Sequence, residues 1–88
     1  MRVRIDKSFE KDTKKINNQK LLLKVASCIE QVSKSKSISD IHNLKKLLGF
    51  SNHYRIRIGE YRAGIRIVNN EVFFERFLHR KDIYRYYP

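Results

Sequence analysis

The sequence predicts a small α+β domain with helices packed on one face of an antiparallel sheet, and three observations carry that prediction. Through the first half, apolar residues recur at three- and four-residue steps. From His53 onward the period changes to two. Gly59-Glu60 and Asn69-Asn70 then divide the alternating part into runs at hairpin spacing. With 88 residues the chain is long enough for one core only, so residues 1–88 are read as a single domain.

Arg2-Val3-Arg4-Ile5 alternates polar and apolar residues, as a half-buried N-terminal strand does. Asp6 or Ser8 can cap the helix that follows, which carries Phe9, Thr13 and Ile16 on one side. Asn17-Asn18 interrupts it, because short amide side chains compete for backbone hydrogen bonds. A second helix runs from about Gln19 to Ser33, with Leu22, Val25, Ala26, Ile29 and Val32 as its apolar stripe, and completes a two-helix hairpin. Ser33 to Ser37 is a polar connector. Asp40 to Gly49 predicts a helical turn or two ended by the glycine. His53–Ile58, Tyr61–Val68 and Glu71–His79 form a three-strand antiparallel meander, and Arg80–Tyr87 closes as a short helix or an extended tail.

The first hairpin concentrates charge. If Gly59 and Glu60 are a two-residue turn, Ile58 faces Tyr61, Arg57 faces Arg62 and Arg55 faces Gly64. Like charges directly opposite one another destabilise a sheet, so a phosphate from outside the fold is the expected counter-charge. Gly64 would leave the middle of that face bare and open to a ligand backbone. A two-residue Asn69-Asn70 turn places the odd-numbered residues of the last strand, Glu75 and His79 among them, on the arginine face.

Composition points to the same half of the chain. Lys and Arg total 20 against 9 acidic residues, a net charge of +11 that favours polyanionic partners. Ten of the eleven lysines precede Gly49 and seven of the nine arginines follow it. Arginine's planar fork suits bidentate phosphate recognition, which makes the second half the place to look for a site. Cys28 is the only cysteine, so no intramolecular disulfide forms and a reducing compartment fits. The sequence holds no run of 18 apolar residues and no apolar signal region at Met1 to Asp12, so the expectation is a cytoplasmic protein away from membranes. His42, His53, His79 and Cys28 lack ligand spacing, and no metal or other cofactor is expected.

Leu44 to Gly49 leads into Tyr54-Arg55-Ile56-Arg57-Ile58-Gly59-Glu60-Tyr61-Arg62, and His79-Arg80-Lys81-Asp82-Ile83-Tyr84 follows later. In that combination the chain resembles the RelE/ParE superfamily of type II toxins, and within it the RelE-like ribosome-dependent mRNA endonucleases, over essentially its whole length. The resemblance implies a RelE-like fold and five catalytic positions: Arg55, Arg57, Arg62, Arg80 and Tyr84. Arg57 and Arg62 would hold the scissile phosphate, Arg80 would face the leaving oxygen, Arg55 would hold adjoining backbone, and Tyr84 would stack on a base. Arg55, Arg66, Lys81 and Arg85 would bind the RNA. RelE-like enzymes often carry lysines on the strand before the turn, where one can serve as general base; guanidinium cannot. His79 is therefore the candidate base, with His53 and Glu75 as the other available groups. A cognate antitoxin, the ribosome and its mRNA are the implied partners. Two alternatives stay open: a ParE-like inhibitor of DNA gyrase without nuclease activity, and a non-catalytic basic RNA- or DNA-binding domain.

Overall fold

Alternating apolar residues from His53 onward build the centre of a sheet, and the rest of the chain wraps it. A computed structural model describes all residues 1–88. It contains β1 (Arg2–Ile5), α1 (Lys7–Lys14), α2 (Gln19–Lys34), a 3₁₀ turn (Ile38–Asp40), β2 (Leu44–Lys46), β3 (His53–Ile58), β4 (Tyr61–Val68), β5 (Glu71–His79) and α3 (Arg80–Tyr86). The strands form one sheet in the order β1-β5-β4-β3-β2. β1 runs parallel to β5, and the other pairings are antiparallel. The α+β class, the meander and the C-terminal helix agree with the sequence reading. No helix is long and apolar enough to cross a membrane.

One face of the sheet is the core. Ile56, Ile58, Ala63, Ile65, Ile67, Val72, Phe74 and Phe77 are buried there beneath Phe9 of α1 and Leu21, Val25 and Val32 of α2. Phe9 meets Phe74 and Phe77 edge-on, at centroid distances of 5.4 and 5.8 Å. Val25, Ile29 and Val32 of the predicted α2 stripe face the core, but Leu21 is buried where Leu22 is only half-buried, and Ala26 is exposed. Three consecutive leucines leave the phase of the helix ambiguous, and packing on the sheet selects Leu21, Val25, Cys28 and Val32. Asn18 fixes the entry, its side-chain oxygen accepting from the N–H of Leu21 at 3.1 Å. At the other end, the N-terminal ammonium donates to the carbonyls of Ser33 and Ser35 at 3.0 and 2.6 Å, a cation at the negative end of the helix.

Asp40 to Gly49 is not helical beyond the 3₁₀ turn, which corrects the sequence reading. Asn43 sits at φ 60°, and Leu44, Lys45 and Lys46 pair with Ile56, Arg55 and Tyr54. A helical segment this short is marginal in isolation, whereas the open edge of β3 offers its backbone groups ready partners. Gly49, at φ 82°, serves the β2–β3 connection.

The second correction is a bulge in β5. Ile65 faces Phe74, but Gly64 faces Arg76, so Glu75 has no partner of its own. Odd-numbered residues share the arginine face up to Glu75, and beyond it the pattern inverts. His79 lies opposite Tyr61, with Phe77 opposite Ala63 on the core side. The bulge is stapled from α1: the buried Asp12 carboxylate accepts from the N–H of Phe77 at 2.9 Å and from Arg76 Nε and Nη2 at 2.7 and 3.2 Å.

Candidate functional site

The two-residue turn forms as its sequence predicts, with Gly59 at φ 61°, and it sets Arg57 opposite Arg62, Arg55 opposite Gly64 and Ile58 opposite Tyr61. β2 adds Lys45 opposite Arg55. Two like-charged cross-strand pairs therefore lie side by side. Together with Asn43 and with Tyr84 from α3, these four cations line a cavity of about 320 Å³ that contains no carboxylate.

Neutral acceptors orient the guanidinium groups and leave their charge intact. Arg62 Nη1 donates to the carbonyls of Gly59 and Tyr61 at 3.1 and 2.9 Å. Arg57 Nη2 lies 3.5 Å from Asn43 Oδ1, and its backbone N–H donates to the Asn43 carbonyl at 3.2 Å. Arg55 places Cζ 4.5 Å from the ring centroid of Tyr84, a cation–π pair that fixes both groups. Each opposed cation pair costs the sheet about 0.2–1 kcal/mol. Hydrogen bonds from charged groups to an anion are worth about 1.5–3 kcal/mol each, which is larger than that cost. The cavity thus gathers four cations with no acidic side chain in its lining to neutralise them.

Other predicted residues lie outside this cavity. Arg80 opens α3 at the hairpin tip, its N–H donating to the Glu60 carbonyl at 2.8 Å and its Nε 3.4 Å from Glu60 Oε1. Both side chains are largely exposed, so that ion pair holds Arg80 weakly. Arg66 is engaged internally, its Nε 3.0 Å from Glu75 Oε2 and its Cζ 4.1 Å from the ring centroid of Phe73. Lys81 and Arg85 are exposed on α3, and Arg85 lies 6.0 Å from the Tyr86 ring.

None of the three candidate bases lines the cavity. His79 meets Tyr61 edge-on at 5.4 Å and caps α3, Nδ1 accepting from the N–H of Lys81 at 3.2 Å. The bulge at Glu75 put it there, against the sequence register. His53 does share the arginine face, but it is wedged between Phe50 and Tyr87, at 5.7 and 5.8 Å. Glu75 spends both oxygens, on the Tyr87 hydroxyl at 2.8 Å and on Arg66. Gly64 is not bare either, because the ring of Tyr87 covers it.

Asn43 and Lys45 are the lining residues that sequence reasoning missed. The signal was there: in a helix neither Lys45 nor Lys46 would have an acidic partner three or four residues away. A larger cavity of about 760 Å³ lies on the helix side, walled by Leu23, Cys28, Ile56 and Ile58, but of the predicted residues it gathers only Arg57. Chemistry, not size, selects the smaller one.

Comparison with known proteins gives the site a context. Residues 3–84 match the family described as the ParE toxin of the type II toxin-antitoxin system, parDE. The chain is 39% identical to Toxin RelE3 of Methanocaldococcus jannaschii over 89 residues, covering all of both chains. It is similar to the toxin in the RelB-RelE antitoxin-toxin complex from Methanococcus jannaschii, with TM-score 0.80, 37% identity, and 96% and 98% of the two chains covered. The fold alone is shared with the RelBE2 toxin-antitoxin complex from Mycobacterium tuberculosis, at TM-score 0.68 and 23% identity over 90% of this chain and 96% of that one.

Proposed function

This chain belongs to the RelE/ParE superfamily of type II toxin–antitoxin toxins, and we propose that it is a ribosome-dependent endonuclease of mRNA. The observation that carries this reading is the cavity in which Lys45, Arg55, Arg57, Arg62 and Tyr84 converge without a carboxylate. The reaction is attack of a ribose 2′-hydroxyl on the adjacent phosphate. The new P–O bond closes a 2′,3′-cyclic phosphate, the bond to the 5′ oxygen breaks, and the proton lost by the 2′-hydroxyl is balanced by one gained at the leaving oxygen. Negative charge grows on the phosphate along this path. Arg57 and Arg62, already aimed by neutral acceptors, stabilise that charge more than they stabilise the substrate. Arg55 holds adjoining backbone and steadies Tyr84, and Tyr84 takes a base out of its stack. Arg80, loosely paired with Glu60 at the edge of the site, swings toward the leaving oxygen.

No histidine lines the cavity, so acceleration rests chiefly on this cationic clamp and on alignment of the 2′-hydroxyl by the ribosome-bound strand. A cognate antitoxin is the silencing partner, as the RelB-RelE antitoxin-toxin complex of a similar protein suggests. A short acidic, amphipathic segment would neutralise part of the +11 charge and cover the arginine face. The test is to map mRNA 5′ ends after induction. New ends inside coding regions, absent for Arg62→Ala, support the nuclease. The description of the matched family favours a second reading, a ParE-like gyrase inhibitor. DNA damage and filamentation with intact mRNA would establish that reading instead.

A further inference from the structure

A second cavity, of about 350 Å³, adjoins the cationic one and shares Lys45, Arg55 and Tyr84 with it. Its character is different. Leu48, Phe50, Ile83 and Pro88 give it apolar walls, while Lys45 and Lys46 supply positive charge. The β2–β3 connection holds Leu48 95% exposed and Phe50 47% exposed, although both are large apolar side chains. Phe50 is propped edge-on against His53, with centroids 5.7 Å apart and planes at 71°, so its ring is presented and not merely loose. Tyr84, 65% exposed, is held by Arg55 over one face, which leaves the other face for a planar ligand.

An apolar slot with aromatic faces, ringed by cations and continuous with a phosphate-binding cavity, has the chemistry of a nucleobase attached to that phosphate. Bases in single strands are held by stacking on aromatic side chains, with basic residues tracking the backbone. We infer that this second cavity receives the unstacked base of the RNA nucleotide flanking the phosphate held by Arg57 and Arg62, with Phe50, Leu48 and Tyr84 forming its walls. The inference rests on the endonuclease reading for the identity of the strand. To the base contact already given to Tyr84 it adds Leu48 and Phe50, and it makes the β2–β3 connection the element that selects where cleavage falls.

The experiment pairs cleavage with binding. Wild type, Leu48→Ser, Phe50→Ser and Phe50→Tyr are compared in single-turnover cleavage of ribosome-bound mRNA with mapped sites. The same proteins are titrated with a trinucleotide carrying 2′-deoxyribose at the central position, which cannot be cut by the proposed route. Thermal melting confirms that the variants fold. For Phe50→Ser the expected result is binding weaker by about tenfold or more, half-saturation raised in proportion, a maximal rate within a few-fold of wild type, and a flattened site preference. Phe50→Tyr should restore all of these. If wild type cuts mRNA while the serine variants bind and cut at the same sites with unchanged half-saturation, the base site is wrong and the nuclease stands. If the serine variants lose only antitoxin affinity, the patch is a protein contact and the inference is likewise overturned. A wild type that cuts nothing but binds the trinucleotide through Phe50 would overturn the endonuclease reading and leave the base site in place.

Discussion

Tyr87 is seated on Gly64: a Cβ at that glycine would stand 2.7 Å from both Cδ2 and Cγ of the tyrosine ring. The missing side chain is what lets the C-terminal segment dock on the arginine face, where Ile83 and Tyr87 are both buried. The Tyr87 hydroxyl then donates to Glu75 at the bulge, and α3 is fixed with Tyr84 over Arg55.

Gly64→Ala therefore tests the docking of α3. Overpacking at a closed contact costs about 1–3 kcal/mol, and here the displaced group is a ring held by a second bond. The variant should melt lower and cleave more slowly, because Tyr84 moves with α3. Pairing it with Tyr87→Ala in a double-mutant cycle should give a combined loss clearly smaller than the sum. Additive losses would mean that the two residues do not act on one another.

Asp12 is the next lever. Its carboxylate is buried and satisfies Arg76 together with the N–H of Phe77. Breaking a buried pair by removing one partner costs about 3–5 kcal/mol, and because Arg76 keeps some solvent the lower end applies. Asp12→Ala should lose stability on that scale in urea unfolding, and Asp12→Asn, which retains an acceptor, distinctly less. Loss of the clamp should also change hydrogen exchange at Glu75 to His79, since the carboxylate holds the bulge.

The contrast between the two hairpins explains what the sequence could and could not show. Gly59-Glu60 and Asn69-Asn70 determine pairing locally, through positive φ at Gly59, Asn69 and Asn70, so the opposition of Arg57 to Arg62 was legible from turn length alone. The bulge is held by Asp12, 65 positions before the Phe77 N–H that it binds, and no local signature announces it. His79 was consequently read on the wrong face. Lys45 was missed for a related reason: a three-residue edge strand is stabilised by its neighbour, not by its own propensity. The cationic hairpin could be read from composition and spacing. The residues that complete its cavity depended on tertiary partners.

Alkaline pH should weaken the fold through the half-buried Cys28 thiol and the buried Tyr87 phenol. Burial pushes the Cys28 thiol up from 9.0 to about 11, and burial together with the Glu75 carboxylate raises the Tyr87 phenol above its ordinary 10.0. In both cases the unfolded chain gives up its proton at lower pH than the folded chain does. Stability is thus fully present below pH 9 and declines as the pH climbs toward 11. Melting temperatures between pH 7 and 11 should show the decline, and Cys28→Ala with Tyr87→Phe should flatten it. At pH 8 the thiol should react with a disulfide reagent roughly 10²-fold more slowly than a free cysteine, because the thiolate is the nucleophile. Rapid labelling at that pH would show that the thiol is not protected as described.

Arg57 and Arg62 give the most direct test of the nuclease. The pair is repulsive, but Arg62 also donates to the Gly59 and Tyr61 carbonyls, so the two effects oppose each other in the free protein. Arg62→Ala removes both, and stability should change by no more than about 1 kcal/mol, the scale of a cross-strand pair. Catalysis has no such offset. Removing one preorganised donor to a developing oxyanion typically costs about 10²–10³ in rate, and single-turnover cleavage should fall by that much. Arg62→Lys should recover only part, since an ammonium cannot make two parallel bonds to one phosphate. Ribosome sedimentation should barely change, because the lysine-rich helices supply many other cations. The three measurements separate the outcomes cleanly. A folded Arg62→Ala that still binds ribosomes and no longer cuts places the guanidinium on the reacting phosphate. Undiminished cutting would make the arginine face a binding surface only, and unfolding would make it a structural one.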